Sequence, residues 1–211
     1  MKSILAEIWE FEGKTRSYPK LDTVEYPTIH YDDWVPVSII DPNKNNGPWI
    51  AGGSVLKWYQ SQPVGESDID VYCSSPMQVE RILQSFTDKI SFNKRHSSDN
   101  AITLEVYKDT NTWTVQIIKK SFYTDMQKVI DGFDISVCQL ATDGNEIILG
   151  EHTARDIRER NLRMRMPLQP DAAKRMIKYW TYGYRPVDGL LDSVRNNPVG
   201  RWEFNPAEDY S

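Results

Sequence analysis

Residues 50–73 read IAGGSVLKWYQSQPVGESDIDVYC, and this stretch decides the fold. A short apolar entry begins at Pro48 and meets Gly52-Gly53-Ser54, which opens a helix expected to run to about Gln62. Glycines let backbone amides come close to an anion. A helix start adds orphan N–H groups and a favourable dipole for phosphate. Ser54 adds a hydroxyl, and Lys57, one turn beyond Gly53, is either a further contact for the triphosphate or a surface lysine. The next segment, Asp68–Cys73, alternates with period two, as a half-buried strand does. Side chains alternate across a strand, so Asp68 and Asp70 share one face. Two such carboxylates repel each other unless a cation stands between them, and hard oxygen ligands suit Mg²⁺ or Mn²⁺. Ser54 and Asp68 are 14 residues apart. A phosphate cradle followed by a metal-binding acid pair suits a nucleoside triphosphate, attacked in line at the α-phosphate with pyrophosphate leaving.

Outward from this motif the pattern is a regular succession of elements. Pro76 suits the first turn of a helix whose Val79, Ile82, Leu83 and Phe86 recur three and four apart. Ala101–Tyr107 and Trp113–Ile118 read as a hairpin around Lys108-Asp109-Thr110-Asn111. A helix is expected over Thr124–Ile130, a strand over Phe133–Ala141, a turn at Asp143-Gly144-Asn145 and a strand over Glu146–Leu149. His96 falls in a polar stretch read as a loop. These elements describe an α/β (α+β) domain, a mixed sheet with helices, over residues 48–165.

Either side of it the composition changes. Residues 1–47 carry four prolines and end in the polar stretch Asp41–Gly47, an extended arm. Trp9, Phe11, Tyr18, Tyr26, Tyr31 and Trp34 are too many aromatics for a solvated tail, so the arm is expected to pack on the domain or on a second subunit. Residues 166–211 form a helical segment and tail. Between 154 and 178, eight Lys/Arg stand against three acids, a local +5 on a chain of net charge −5. That distribution excludes a generally basic nucleic-acid coat but leaves a local phosphate surface, for which Arg163, Arg165, Lys174, Arg175 and Lys178 are the candidates. Their bland alternative is a solvated helical face with the pairs Asp156–Arg160 and Glu159–Arg163. Lys178-Tyr179-Trp180 and Tyr182-Gly183-Tyr184 suit packing onto the sheet better than base stacking. No window is long and apolar enough for a membrane span. The acidic residue at position 7 argues against a signal peptide. Cys73 and Cys138 cannot form a disulfide framework, and in apolar strands they read as buried thiols. A cytoplasmic protein is expected.

The pattern Gly53-Ser54, thirteen residues, then Asp68-Ile69-Asp70-Val71 resembles the signature of the DNA polymerase β-type nucleotidyltransferase superfamily. FDISVCQLATDGNEIILGEHTARDIRERNLR, residues 133–163, is similar to part of the head domain of CCA-adding enzymes and poly(A) polymerases. Asp134 and Ser136 match that head. Gly132-Phe133 stands in place of its paired arginines, Cys138 in place of an asparagine and Leu149 in place of a later aspartate. The likeness covers residues 48–165, and the stretch after Arg165 is too short for the body of a tRNA-tailing enzyme.

The resemblance implies a polymerase β-like fold and a Mg²⁺- or Mn²⁺-dependent transfer of an NMP from an NTP to a hydroxyl acceptor, such as the end of a tRNA. Asp68 and Asp70 would hold the metal, and Gly52, Gly53, Ser54 and Lys57 the nucleotide. It also implies a third carboxylate, general base and metal ligand, on a neighbouring strand. Two positions compete: Asp134 in Phe-Asp-Ile, which is favoured, and Gln116 in Val-Gln-Ile, whose amide cannot act as a base. A site with Gln116 there would be slow or inactive. The alternatives are a catalytically inactive member used for binding or assembly, with the arm joining a homo-oligomer, and an enzyme that adenylylates protein.

Overall fold

The computed structural model describes residues 46–60, 62, 68–89, 91–108, 111–144 and 146–197. The expected N-terminal arm, except its last two residues, and the tail beyond residue 197 lie outside the described residues.

Among these residues, β1 (Trp49–Ala51) leads through a tight turn into α1 (Gly53–Tyr59) and then β2 (Ile69–Tyr72). Helix α2 (Pro76–Lys89) is followed by β3 (Ser91–Ser97), β4 (Ala101–Lys108) and β5 (Asn111–Ile118). Helix α3 (Met126–Asp131), capped by Asp125, precedes a 3₁₀ turn (Ser136–Cys138), β6 (Leu140–Thr142) and β7 (Ile147–Leu149). The chain continues through α4 (Thr153–Glu159), β8 (Asn161–Leu162), α5 (Ala172–Thr181), β9 (Arg185–Pro186) and α6 (Leu190–Arg195).

Seven strands form one mixed sheet in the order β3-β4-β5-β2-β1-β6-β7, and β8 pairs with β9 apart from it. Within the seven-stranded sheet β2 and β5 run parallel, while the other neighbours are antiparallel. Ile69, Val71, Leu104, Val115 and Ile117 point to one face and are buried with Val79, Ile82 and Phe86 of α2. A second cluster joins Trp49, Ala51 and Ala141 to Val129 and Ile130 of α3. Period two makes the residues between Ile69, Val71, Val115 and Ile117 point the other way, and these include Asp70 and Gln116. The helical segment after residue 165 shares the main core: Ala172, Met176, Tyr179, Trp180 and Leu190 are all buried in it.

Two elements depart from expectation. Phe133–Ala141 is not one strand. Its middle coils into the 3₁₀ turn, and only Leu140–Thr142 pairs in the sheet while Ile135 bridges Met164. Ser136 and Thr153 explain the break. The Ser136 hydroxyl donates to Asp156 Oδ2 at 2.7 Å, and the Thr153 hydroxyl donates to the Ser136 carbonyl at 2.8 Å. Those side-chain bonds satisfy the turn locally in place of a ladder. Second, the stretch around His96 is strand β3, paired with β4 across a bulge between Lys94 and His96. A polar edge strand carries little apolar alternation to reveal it.

Candidate active site

The turn between β1 and α1 depends on Gly52. Its φ of +87° lies where L side chains are strained, and a Cβ there would come within 3.1 Å of the Phe133 ring. Its N–H donates to the Leu140 carbonyl at 3.0 Å, which fixes the turn to β6. At Gly53 a Cβ would meet only the Tyr179 hydroxyl at 3.6 Å, so the demand for glycine falls on the first of the two. Ser54 is 1% exposed and its Oγ has no hydrogen-bond partner. Leaving a buried hydroxyl unmatched costs about 1–3 kcal/mol.

Ser54 is one of the residues lining a cavity of about 590 Å³ between α1, the start of β2 and α5. This is within the range of small-molecule sites. Gly53, Ser54 and Lys57 of α1 line it, with Asp70 from β2 and Asp68 from the residue just before that strand. Arg175 and Lys178, one turn apart on α5, close the opposite side. Burial, and then the Asp68 charge, push the Asp70 carboxyl up to about 7 against the pull of Lys178. A carboxylate so placed favours a proton or a cation beside it. Two oxygen-donor acids lining one cavity suit a hard divalent cation carried by a triphosphate, and Asp68 and Asp70 are the side chains that would hold it.

Strand register settles which side chains flank that pair. Asp70 lies opposite Ala51 on β1 and opposite Gln116 on β5. Gln116 Nε2 donates to Asp68 Oδ2 at 2.8 Å. Asp134 lines the same cavity, but its Oδ1 accepts from Arg175 Nη1 at 2.6 Å, and Arg175 Nη2 donates to Asp171 at 2.6 Å. Burial pushes the Asp134 carboxyl up, with Arg175 pulling the other way. Among the described residues no three of His, Cys, Asp and Glu converge as a group able to hold a metal ion. Asp134 is thus paired with Arg175, and the residue of β5 opposite Asp70 is Gln116. Asp134 Oδ2 and Arg175 Nε are both buried without partners.

The remaining candidates divide. Arg163 Nε donates to Asp156 at 3.2 Å, Arg165 Nη1 donates to the Asp131 carbonyl at 2.5 Å, and neither of them nor Lys174 lines the cavity. Asp156 is wholly buried, so it pairs inward with Arg163 and not along the helix surface with Arg160 as spacing suggested. Glu159 in turn takes Arg158 and Asn161 instead of Arg163. Arg160 lines the cavity with its guanidinium 5.2 Å from the centre of the Tyr184 ring. Tyr182, at 42% exposure, sits at the cavity as well, with its ring 5.7 Å from that of Tyr179. The sequence signal for Tyr182 was the Tyr182-Gly183-Tyr184 run, both of whose rings line the cavity, whereas Arg160 was read only as a partner of Asp156. Tyr179, Trp180 and Tyr184 are buried, as packing onto the sheet requires. Cys73 and Cys138 are free and buried; the Cys138 thiol donates to the Tyr179 hydroxyl at 2.6 Å, and burial pushes it up to about 12.

Fold and site together place the chain among proteins with the DNA polymerase β-type nucleotidyltransferase fold. The Bacillus stearothermophilus CCA-adding enzyme in complex with CTP superposes with a TM-score of 0.56 at 18% identity, over 78% of this chain and 43% of that one. The Thermotoga maritima CCA-adding enzyme complexed with tRNA gives 0.55 at 14%, over 76% and 40%. A tRNA-processing enzyme in an apo form gives 0.57 at 11%, over 79% and 46%. This chain thus spans under half the length of each. The sequence pattern of the Gabija anti-defense 2 family matches residues 27–160, and the chain belongs to that family. No curated protein matches it in sequence. Among the described residues no helix is long and apolar enough to cross a membrane.

Proposed function

We propose that this protein transfers a nucleoside monophosphate from an NTP to a hydroxyl acceptor, and that the transfer serves the anti-defence role its family name carries. The observation that supports this most is the shared cavity: an acid pair at the start of β2 lines it together with Ser54, Lys57, Arg175 and Lys178. In this reading Ser54 and Lys57 bind the triphosphate, and Lys178 offsets its charge. The Arg175–Asp134 ion pair, which lines the same cavity, borders the nucleoside. Asp68 and Asp70 hold Mg²⁺ or Mn²⁺, which when bound neutralises charge building on the phosphates. The acceptor oxygen bonds to the α-phosphorus as the bond to pyrophosphate breaks, and the hydroxyl proton is released.

Neighbours of this fold are solved with CTP and with tRNA, which favours an RNA hydroxyl as acceptor. The family name, which speaks of a defence system, favours a second reading: a hydroxyl on a protein of that system. Incubation of the full chain with α-labelled NTPs, bulk RNA and cell protein separates them by the fraction that takes up label. Equal labelling by wild type and by the Asp68→Ala, Asp70→Ala double variant would defeat the proposal.

A further inference from the structure

Asp70 has two lateral neighbours in the sheet, Ala51 and Gln116, and neither is an acid. Adjacent strands lie about 4.8 Å apart, so these are the positions from which a strand side chain can share an ion with the pair. The same row runs on through Thr103 of β4 to His96 of β3. By that spacing His96 stands roughly 14 Å from Asp70, out of range of a shared ligand. Asp134 reaches the cavity but is held by Arg175 at 2.6 Å.

Gln116 also has an orientation. Its amide N–H points at Asp68 Oδ2 over 2.8 Å, so it occupies one of the four carboxylate oxygens of the pair and presents positive hydrogen to the space beside it. A paired-metal site sets two ions about 3.5–4 Å apart, four positive charges that need bridging carboxylates on both sides. One Mg²⁺ needs only one or two carboxylates plus substrate phosphate oxygens and water. Ser54 and Lys57 line the same cavity as the acid pair, and those phosphates would lie beside them.

We infer that this site holds a single divalent cation, brought in with the triphosphate onto Asp68 and Asp70, and that Gln116 fills the position from which an acid would have held a second. The inference rests on the nucleotidyl-transfer reading above. Gln116 is then a positioning residue: it ties down Asp68 through Oδ2 and leaves Oδ1 for the ion. The acceptor hydroxyl gains no metal of its own, so its reactivity depends on the acceptor and on its placement.

Manganese counting tests this. The full chain is titrated with Mn²⁺ in the presence of the α,β-methylene analogues of ATP and CTP, and protein-bound ions are counted by electron paramagnetic resonance against a nucleotide-only blank. Wild type is expected to bind one ion per chain with the spectrum of an isolated ion. Gln116→Asp or Gln116→Glu, whichever keeps the wild-type circular dichroism spectrum, is expected to bind a second ion with a spin-coupled spectrum. Two coupled ions in the wild type would overturn the inference while leaving nucleotidyl transfer standing. A single ion in both folded acid variants would overturn the role given to Gln116. Loss of all nucleotide-dependent Mn²⁺ binding in the wild type would overturn the transfer reading itself.

Discussion

Replacing Asp70 with asparagine should stabilise the metal-free protein, and by an amount that grows with pH. The folded state holds the Asp70 carboxyl up to about 7, through burial and the neighbouring Asp68 charge. In the unfolded chain the same group titrates near the ordinary value of ~4. Between those two values the folded state carries a proton that the unfolded state has lost, so stability falls as pH rises through the window and levels off above it. Each pH unit removes about 1.4 kcal/mol. Between roughly pH 5 and pH 8.5 the gap between Asp70→Asn and wild type should therefore widen by about 2–3 kcal/mol in favour of the variant. Urea unfolding in EDTA, followed by tryptophan fluorescence at several pH values, measures it directly. With Mg²⁺ and nucleotide present the order should reverse, because only the wild type gains from the ion. A gap that stays constant across that pH range would refute the reasoning, since it would mean the carboxyl is neither desolvated nor pressed by its neighbour.

Other substitutions probe the remaining parts. Gly52→Ala should cost about 1–3 kcal/mol in urea unfolding, because the +87° φ is strained for alanine and the new Cβ meets the Phe133 ring. Asp156→Ala strips Arg163 and the Ser136 hydroxyl of a wholly buried partner and should cost on the order of 3 kcal/mol in the same assay, with transfer falling only as folded protein is lost. Ser54→Ala removes a hydroxyl that has no partner in the free protein, so stability should hold or rise slightly while nucleotide binding weakens about five-fold or more by calorimetry. Lys178→Ala should weaken triphosphate binding and raise the Asp70 carboxyl further, which shifts the pH dependence of metal-free stability upward.

Much of this architecture is readable where local chemistry and long-range packing agree. The Gly52 turn, the alternation of Asp68–Cys73, the amphipathic face of α2 and the β-branched hairpin of β4 and β5 each announce themselves within a few residues. Strand β3 does not, because an edge strand with Asn93, Lys94 and His96 keeps polar groups toward water and shows no stripe. The segment after Phe133 carries β-type residues, yet the buried bonds of Ser136 and Thr153 bend it into a turn. Asp156 and Arg160 have ideal helical spacing for a surface pair, but burial of α4 takes Asp156 inward to Arg163. The acid pair itself is legible as a motif. What stands beside it is not: the parallel pairing of β2 with β5 joins residues 46 positions apart, Asp70 and Gln116, and nothing local sets that register. The opening motif thus pointed to the candidate cavity, and the sheet register set an amide, Gln116, opposite Asp70.

The central claim is that an NTP is cleaved at its α-phosphate here and its monophosphate kept on an acceptor. Parallel reactions with α-labelled and γ-labelled NTP, the full chain, Mg²⁺ and a mixture of RNA and protein test it most directly. The account predicts that α-label becomes covalently fixed while γ-label leaves as pyrophosphate in equal amount, and that both signals vanish in the Asp68→Ala, Asp70→Ala variant. Label fixed from the γ-position, or α-label fixed equally by the variant, would contradict it.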